Sequence, residues 1–128
     1  MRMDIWQTMN IRPLERKAGS QVKAYIDEHY REEITIERLS QMSWLDDQVS
    51  FRSRRLHEAF AAIFLQTIHD YLIRVRMENA KALLSTTDLS IKAIAISVGY
   101  RRESSFGPAF KKFFGITPSS YRYARVEE

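Results

Sequence analysis

Residues 94–115 read IAISVGYRRESSFGPAFKKFFG, and the reading of this stretch decides the fold. An apolar helical run from Ile94 to Val98 ends on Gly99 and restarts within a few residues as a basic segment studded with phenylalanine. Ala95 stands four residues before the glycine. A small residue lets a second helix cross closely and glycine takes a left-handed turn, so the spacing meets the steric demands of a helix-turn-helix. Ile94, Val98, Tyr100 and Phe106 are the expected core between the two helices. Ser90 is the expected N-cap of the first, with Ile91 on its buried face, and Phe106, Phe110 and Phe113 mark the inward face of the second, which runs out at Gly115. Thr117-Pro118 then opens a further short helix, with proline in the favoured first position.

Outward from this stretch the chain reads as all-α. The 128 residues hold four glycines and three prolines, and apolar residues recur at three- and four-residue spacing. A loose leader is expected over residues 1–19, after which Gly19-Ser20 opens a helix carrying Val22, Tyr25, Ile26 and Tyr30, with Ser20 as N-cap. Thr35 caps a short helix that buries Ile36, Leu39 and Met42. The pattern lapses over residues 44–50, WLDDQVS, and resumes at FRSRRLHEAFAAIF. Thr67 and Asp70 stand in capping-box relation at the head of the longest helix, about 18 residues or 27 Å. Its buried stripe is Ile68, Tyr71, Leu72, Val75, Ala80, Leu83 and Leu84.

Composition narrows the function classes. No cysteine is present, which excludes disulfides, thiol nucleophiles and cysteine-rich zinc sites and suits a reducing cytoplasm. The first 19 residues lack the apolar core of a signal peptide, and no run approaches the ~18 apolar residues of a membrane span, so the expectation is a soluble cytoplasmic protein with no membrane partner. The net charge is +4 and unevenly placed. Residues 1–50 hold 7 Lys/Arg against 9 Asp/Glu, residues 51–87 hold 6 against 3, and residues 88–128 hold 7 against 4. The positive excess lies beyond residue 50, which favours an anionic partner, nucleic acid ahead of membrane.

The longer stretch STTDLSIKAIAISVGYRRESSFGPAFKKFFGITPSSYR resembles the C-terminal half of the AraC/XylS family of bacterial transcription regulators. The matched positions are Ile94-Ala95, Gly99-Tyr100, Ser104, Phe106, Phe110-Lys111-Lys112, Gly115, Thr117-Pro118 and Tyr121-Arg122. DYLIRVRMENAKALL resembles the family's linker helix, and ITIERLSQ the opening of its first helix-turn-helix. The resemblance spans about residues 20–123. It implies two homeodomain-like three-helix units: a first helix-turn-helix subdomain over residues 20–66, irregular around 43–66, a linker helix over 67–86, and a second subdomain over 87–128. It also implies a monomer that lays one recognition helix in each of two successive major-groove segments, about 34 Å apart. Activation through contact with RNA polymerase belongs to the same implication.

Two departures from the family pattern stand out. The chain is about six residues longer between Ser40 and Phe60, with Trp44 at a position where a small turn residue is common. Leu65 replaces the usual glycine, and Ala61 replaces the basic residue that follows phenylalanine. In the second unit Pro108 replaces the usual arginine; lacking an N–H, it is expected to bend the recognition helix or delay its start.

Candidate DNA contacts follow from these placements. Arg101 and Arg102 flank the start of the second recognition helix, and either contact DNA or sit in a solvated turn. Glu103, Ser104 and Ser105 form its first turn, where the serines either meet bases or phosphates or cap locally. Lys111 and Lys112 are expected to divide between phosphate and water. In the first unit Arg52, Arg54 and Arg55 form the densest basic cluster, and Arg54, His57 and Glu58 take the groove-facing positions. Arg122 either supports the fold or meets phosphate. Arg74 and Arg76 are expected at the surface or with intramolecular partners.

The three histidines, His29, His57 and His69, lack metal-ligand spacing, so no metal is expected. There is no G-x-S-x-G, Gly-rich phosphate loop or H-E-x-x-H, and no cofactor or catalytic residue is expected. Asp46-Asp47 reads as a solvated loop. The main reading is a sequence-specific regulator of transcription with double-stranded DNA as partner. Its rivals are a protein-interaction module that kept the fold and lost specific DNA binding, motivated by Pro108 and the irregular first unit, and a small helical enzyme. The operator, any effector and the sign of regulation are not written in these residues.

Overall fold

The structure is a computed structural model, and it describes residues 13–40 and 53–126. Met42, Trp44, Asp46-Asp47 and Arg52 lie outside these residues, as do the side chains of Ile36 and Arg54. Every described element is helical: α1 (Pro13–His29), α2 (Ile36–Ser40), α3 (Ser53–Phe64), α4 (Ile68–Thr86), α5 (Ile91–Ser97), α6 (Glu103–Phe114) and α7 (Pro118–Val126). They divide into two compact units, one of residues 1–29 and 34–72, the other of residues 30–33 and 73–128.

In the first unit α3 packs on α1 and α2. Ala18, Val22 and Ile26 of α1, Leu39 of α2, and Leu56, Ala59 and Phe60 of α3 are fully or almost fully buried, and Ile68 and Leu72 close the core from α4. The helix expected to open at Gly19-Ser20 begins at Pro13 instead. Proline suits a first helical turn, whose amides lack intrahelical acceptors. Ser20 is therefore an exposed mid-helix residue rather than a cap, and Gly19 faces Ile63 and the Phe60 backbone. Thr35 and Thr67 do cap their helices, accepting from the amides of Arg38 at 3.2 Å and Asp70 at 3.0 Å. Tyr71 donates to Asp27, which also pairs with Lys23 at 3.1 Å.

In the second unit Met77, Ala80 and Leu84 of α4, Ile94, Ala95 and Val98 of α5, and Phe106 and Phe110 of α6 form the core. Met77 is fully buried, whereas Val75 and Leu83, expected on the buried stripe, are only half-buried. Phe113 is 39% exposed, so the third phenylalanine of the expected inward face lies at its margin, edge-on to Phe114. The other rings form a chain: Tyr100 to Phe106 at 5.6 Å, Phe106 to Phe110 at 5.8 Å, and Phe110 to Tyr121 at 6.1 Å.

Candidate nucleic-acid interface

The turn between α5 and α6 is built as the sequence spacing requires. Ser90 Oγ accepts from the Ala93 amide at 3.0 Å and starts α5. At the other end the Tyr100 amide bonds the Ala95 carbonyl at 2.9 Å and the Gly99 amide bonds Ile96 at 3.1 Å, a Schellman closure with Gly99 at φ +106. A Cβ on Gly99 would also fall 2.9 Å from Arg76 Nε and from the Tyr30 carbonyl oxygen. Both the dihedral and the space demand glycine here.

α6 follows after Arg102, whose extended backbone (φ −137, ψ 143) starts the helix without a side-chain cap bond. Its carbonyl accepts from the Ser105 and Phe106 amides, both at 3.2 Å. The Glu103 and Ser104 amides precede the first intrahelical bonds, so this end carries the helix's positive pole. Arg101, Arg102, Glu103, Ser104 and Ser105 are all exposed here, while Phe106 and Phe110 hold the opposite face in the core. Lys111 and Lys112 are exposed in the last turn. The structure thus brings Arg101 through Ser105 together on one exposed turn and helix start. Arg101 also meets Glu33 at 3.4 Å, with both side chains mostly in solvent.

Pro108 neither delays nor interrupts α6, which runs unbroken from Glu103 to Phe114. The bond it forgoes would run to the Ser104 carbonyl, and both residues are exposed, so the lost donor is not missed in a buried setting. Gly107 has open space around it, so no neighbour opposes the adjustment.

The first unit presents its candidates differently. His57 is half-buried and lines a groove with Ile34, Thr35, Glu37, Ile68, His69 and Leu72. Arg55 turns into the fold: its Nη2 lies 3.3 Å from Glu15 Oε1, its Nε contacts Oε2, and its Nη1 lies 3.2 Å from Glu58 Oε2. Hydrogen bonding to Glu15 raises the Arg55 pKa further above its already high value. Glu15 is 1% exposed. It stands three residues before Ala18 on the face continued by Val22 and Ile26. A charged residue in phase with a buried stripe is the signal that could have found it.

Two further arginines prove structural. Arg122 donates to the carbonyls of Leu84 at 3.4 Å, Thr87 at 3.1 Å and Leu89 at 2.5 Å, fastening the end of α4 and the loop to α5. These bonds are the fold support expected of Arg122. Arg76 donates to the Tyr30 and Glu32 carbonyls, each at 2.8 Å, and lies over the Tyr100 ring at 5.6 Å. Burial lowers its pKa, and burial likewise raises that of the Tyr100 hydroxyl. Among the described residues no group of three or more His, Cys, Asp and Glu could hold a metal ion, and no helix is long and apolar enough to cross a membrane.

Comparison with known proteins agrees with this geometry. The helix-turn-helix domain family matches residues 45–124. The melibiose operon regulatory protein of Escherichia coli (strain K12) is 31% identical over 103 residues, which are 80% of this chain and 32% of that protein's length. Regulatory protein SoxS of the same organism is 31% identical over 100 residues, 78% of this chain and 88% of SoxS. The crystal structure of the DNA-binding domain of AdpA in complex with a target DNA superposes with a TM-score of 0.74 at 25% identity, covering 86% of this chain and 95% of that domain.

Proposed function

Since this chain belongs to the AraC/XylS family of helix-turn-helix transcription regulators, we propose that it binds duplex DNA sequence-specifically and regulates transcription in a bacterial cytoplasm. The observation that carries the reading is the exposed run Arg101–Ser105 at the head of α6, backed by buried Phe106 and Phe110. In this reading the N-terminal turn of α6 enters the major groove. Arg101, Lys111 and Lys112 neutralise phosphates and set register, while Arg102, Glu103 and Ser105 read base edges. Ser104 bonds base or phosphate. Arg52, Arg54 and His57 serve α3 in the same way on an adjacent segment, so that one monomer covers two. Contact with RNA polymerase and activation belong to the same proposal, and the chain carries no catalytic step. The rival interaction module drew on Pro108 and the irregular first unit; the continuity of α6 answers the break expected of Pro108 and leaves the missing arginine as its remaining cost.

The test is a mobility-shift titration across ionic strength. Each neutralised phosphate releases counterions at a slope of about −0.9, so affinity falls steeply between about 50 and 200 mM salt. Lys111→Ala is expected to weaken all sequences alike and reduce the slope by about one. Absence of binding at low salt, or affinity indifferent to salt, would overturn the reading.

A further inference from the structure

Glu15 and Arg55 join two helices across 40 residues of chain. α1 packs on α3, and the clamp between them uses two guanidinium nitrogens on two carboxylate oxygens. A carboxylate 1% exposed is tolerated only with a partner, and here one hydrogen bond from Nη2 and an ionic contact from Nε tie the two helices at defined atoms. Apolar burial, such as that of Val22 and Ile26 on α1 and of Leu56 and Phe60 on α3, is non-directional. The matching position of α6 is Ser105, which is exposed, so the device belongs to the first recognition helix.

We propose that Glu15 and Arg55 are a positioning pair that fixes the rotation and register of α3, and so decides which of its side chains meet the bases of the first DNA segment. The proposal rests on the DNA-binding reading. Arg55 acts through α3 and does not touch DNA; Glu15 acts through Arg55.

The probe is a set of duplexes that the wild-type chain selects from a random-sequence library, followed by hydroxyl-radical footprinting and a thermal melt. Glu15→Gln and Arg55→Met are each expected to weaken binding about tenfold, equivalent to about 1.4 kcal/mol, with protection lost on one segment and kept on the other. A double variant, Glu15→Leu with Arg55→Met, replaces the pair by apolar volume. It is expected to recover the melting temperature, as such replacements commonly do, without recovering the lost protection. Wild-type footprints in the single variants would overturn the proposal. So would a double variant that regains footprint and melt together, because the pair would then be merely structural. Should the single variants fail to fold, the double variant decides alone. A wild-type chain that selects no duplex would sink the DNA reading and this proposal with it.

Discussion

At an offset of 50 residues the two recognition helices carry matching inward positions, Leu56 with Phe106 and Phe60 with Phe110, all fully buried. Both end on the same bond, Leu65 to Ala61 at 2.9 Å and Gly115 to Lys111 at 2.7 Å, and both hand over to a threonine cap, Thr67 and Thr117. The outward positions diverge. Arg55 corresponds to Ser105, His57 to Gly107, Glu58 to Pro108, and Ala61-Ala62 to Lys111-Lys112. What repeats is what packing requires. What varies is the charge each helix offers to solvent: among the described residues the last turn of α6 exposes Lys111 and Lys112 where α3 has Ala61 and Ala62. The first spends Arg55 on holding its own helices together. Even the arginine that fastens the second unit, Arg122, has the buried Leu72 as its counterpart.

The largest expected effect tests the turn that organises the second unit. Gly99→Val meets two penalties: a β-branched residue at φ +106, and a Cβ 2.9 Å from both Arg76 Nε and the Tyr30 carbonyl oxygen. Left-handed backbone alone costs an ordinary residue about 1–2 kcal/mol, and overpacking adds about as much again, so a loss of about 2–4 kcal/mol is expected. A chemical-denaturation midpoint gives the number. An unchanged midpoint would mean that Arg76 moves aside freely, and that its bonds to Tyr30 and Glu32 contribute little.

Pro108 tests the outward divergence. Pro108→Arg restores an amide donor to the Ser104 carbonyl and adds a cation at an exposed position. Interior proline costs up to about 3 kcal/mol, but α6 is already continuous and Ser104 is exposed, so a gain of about 1–2 kcal/mol is expected. Binding to DNA is expected to tighten in the same variant. A thermal melt without DNA and a titration with it separate the two effects. A melt unchanged together with unchanged affinity would show the proline to be neutral and the added cation idle.

These contrasts also mark how far the sequence alone could be read. Local devices were legible because their causes lie within a few residues: the caps at Thr35, Thr67, Ser90 and Thr117, the turn at Gly99, and proline at the head of α7. The candidate run Arg101–Ser105 was legible for the same reason, being one turn and one helix start. The start of α1 was not, because Glu15 is buried by an arginine 40 residues away and reads as a surface charge until Arg55 is in place. Arg76 and Arg122 were equally opaque. Their acceptors are backbone carbonyls, which no side-chain pattern reports. Phe113 misled through helical spacing, since a residue three after Phe110 sits at the edge of the inward stripe rather than at its centre.

The smallest effect concerns the closing position of each recognition helix, where the same bond is made by Leu65 at φ +58 and by Gly115 at φ +79. Leu65 is 83% exposed, so removing its side chain forfeits almost no burial. The left-handed conformation costs leucine about 1–2 kcal/mol relative to glycine. Against this, glycine loses more backbone entropy on folding, by about 0.5–1 kcal/mol. The difference decides the sign: Leu65→Gly is expected to stabilise the first unit by about 0.5–1 kcal/mol. Gly115 has open space around it, so Gly115→Leu meets the same conformational penalty without a clash and is expected to destabilise the second unit by a similar amount. Denaturant unfolding of both variants, and of the double swap, measures the pair. Opposite shifts that cancel in the swap would establish that the two closures are equivalent. A Leu65→Gly variant less stable than wild type would show that the exposed leucine makes a contribution its 83% exposure does not suggest.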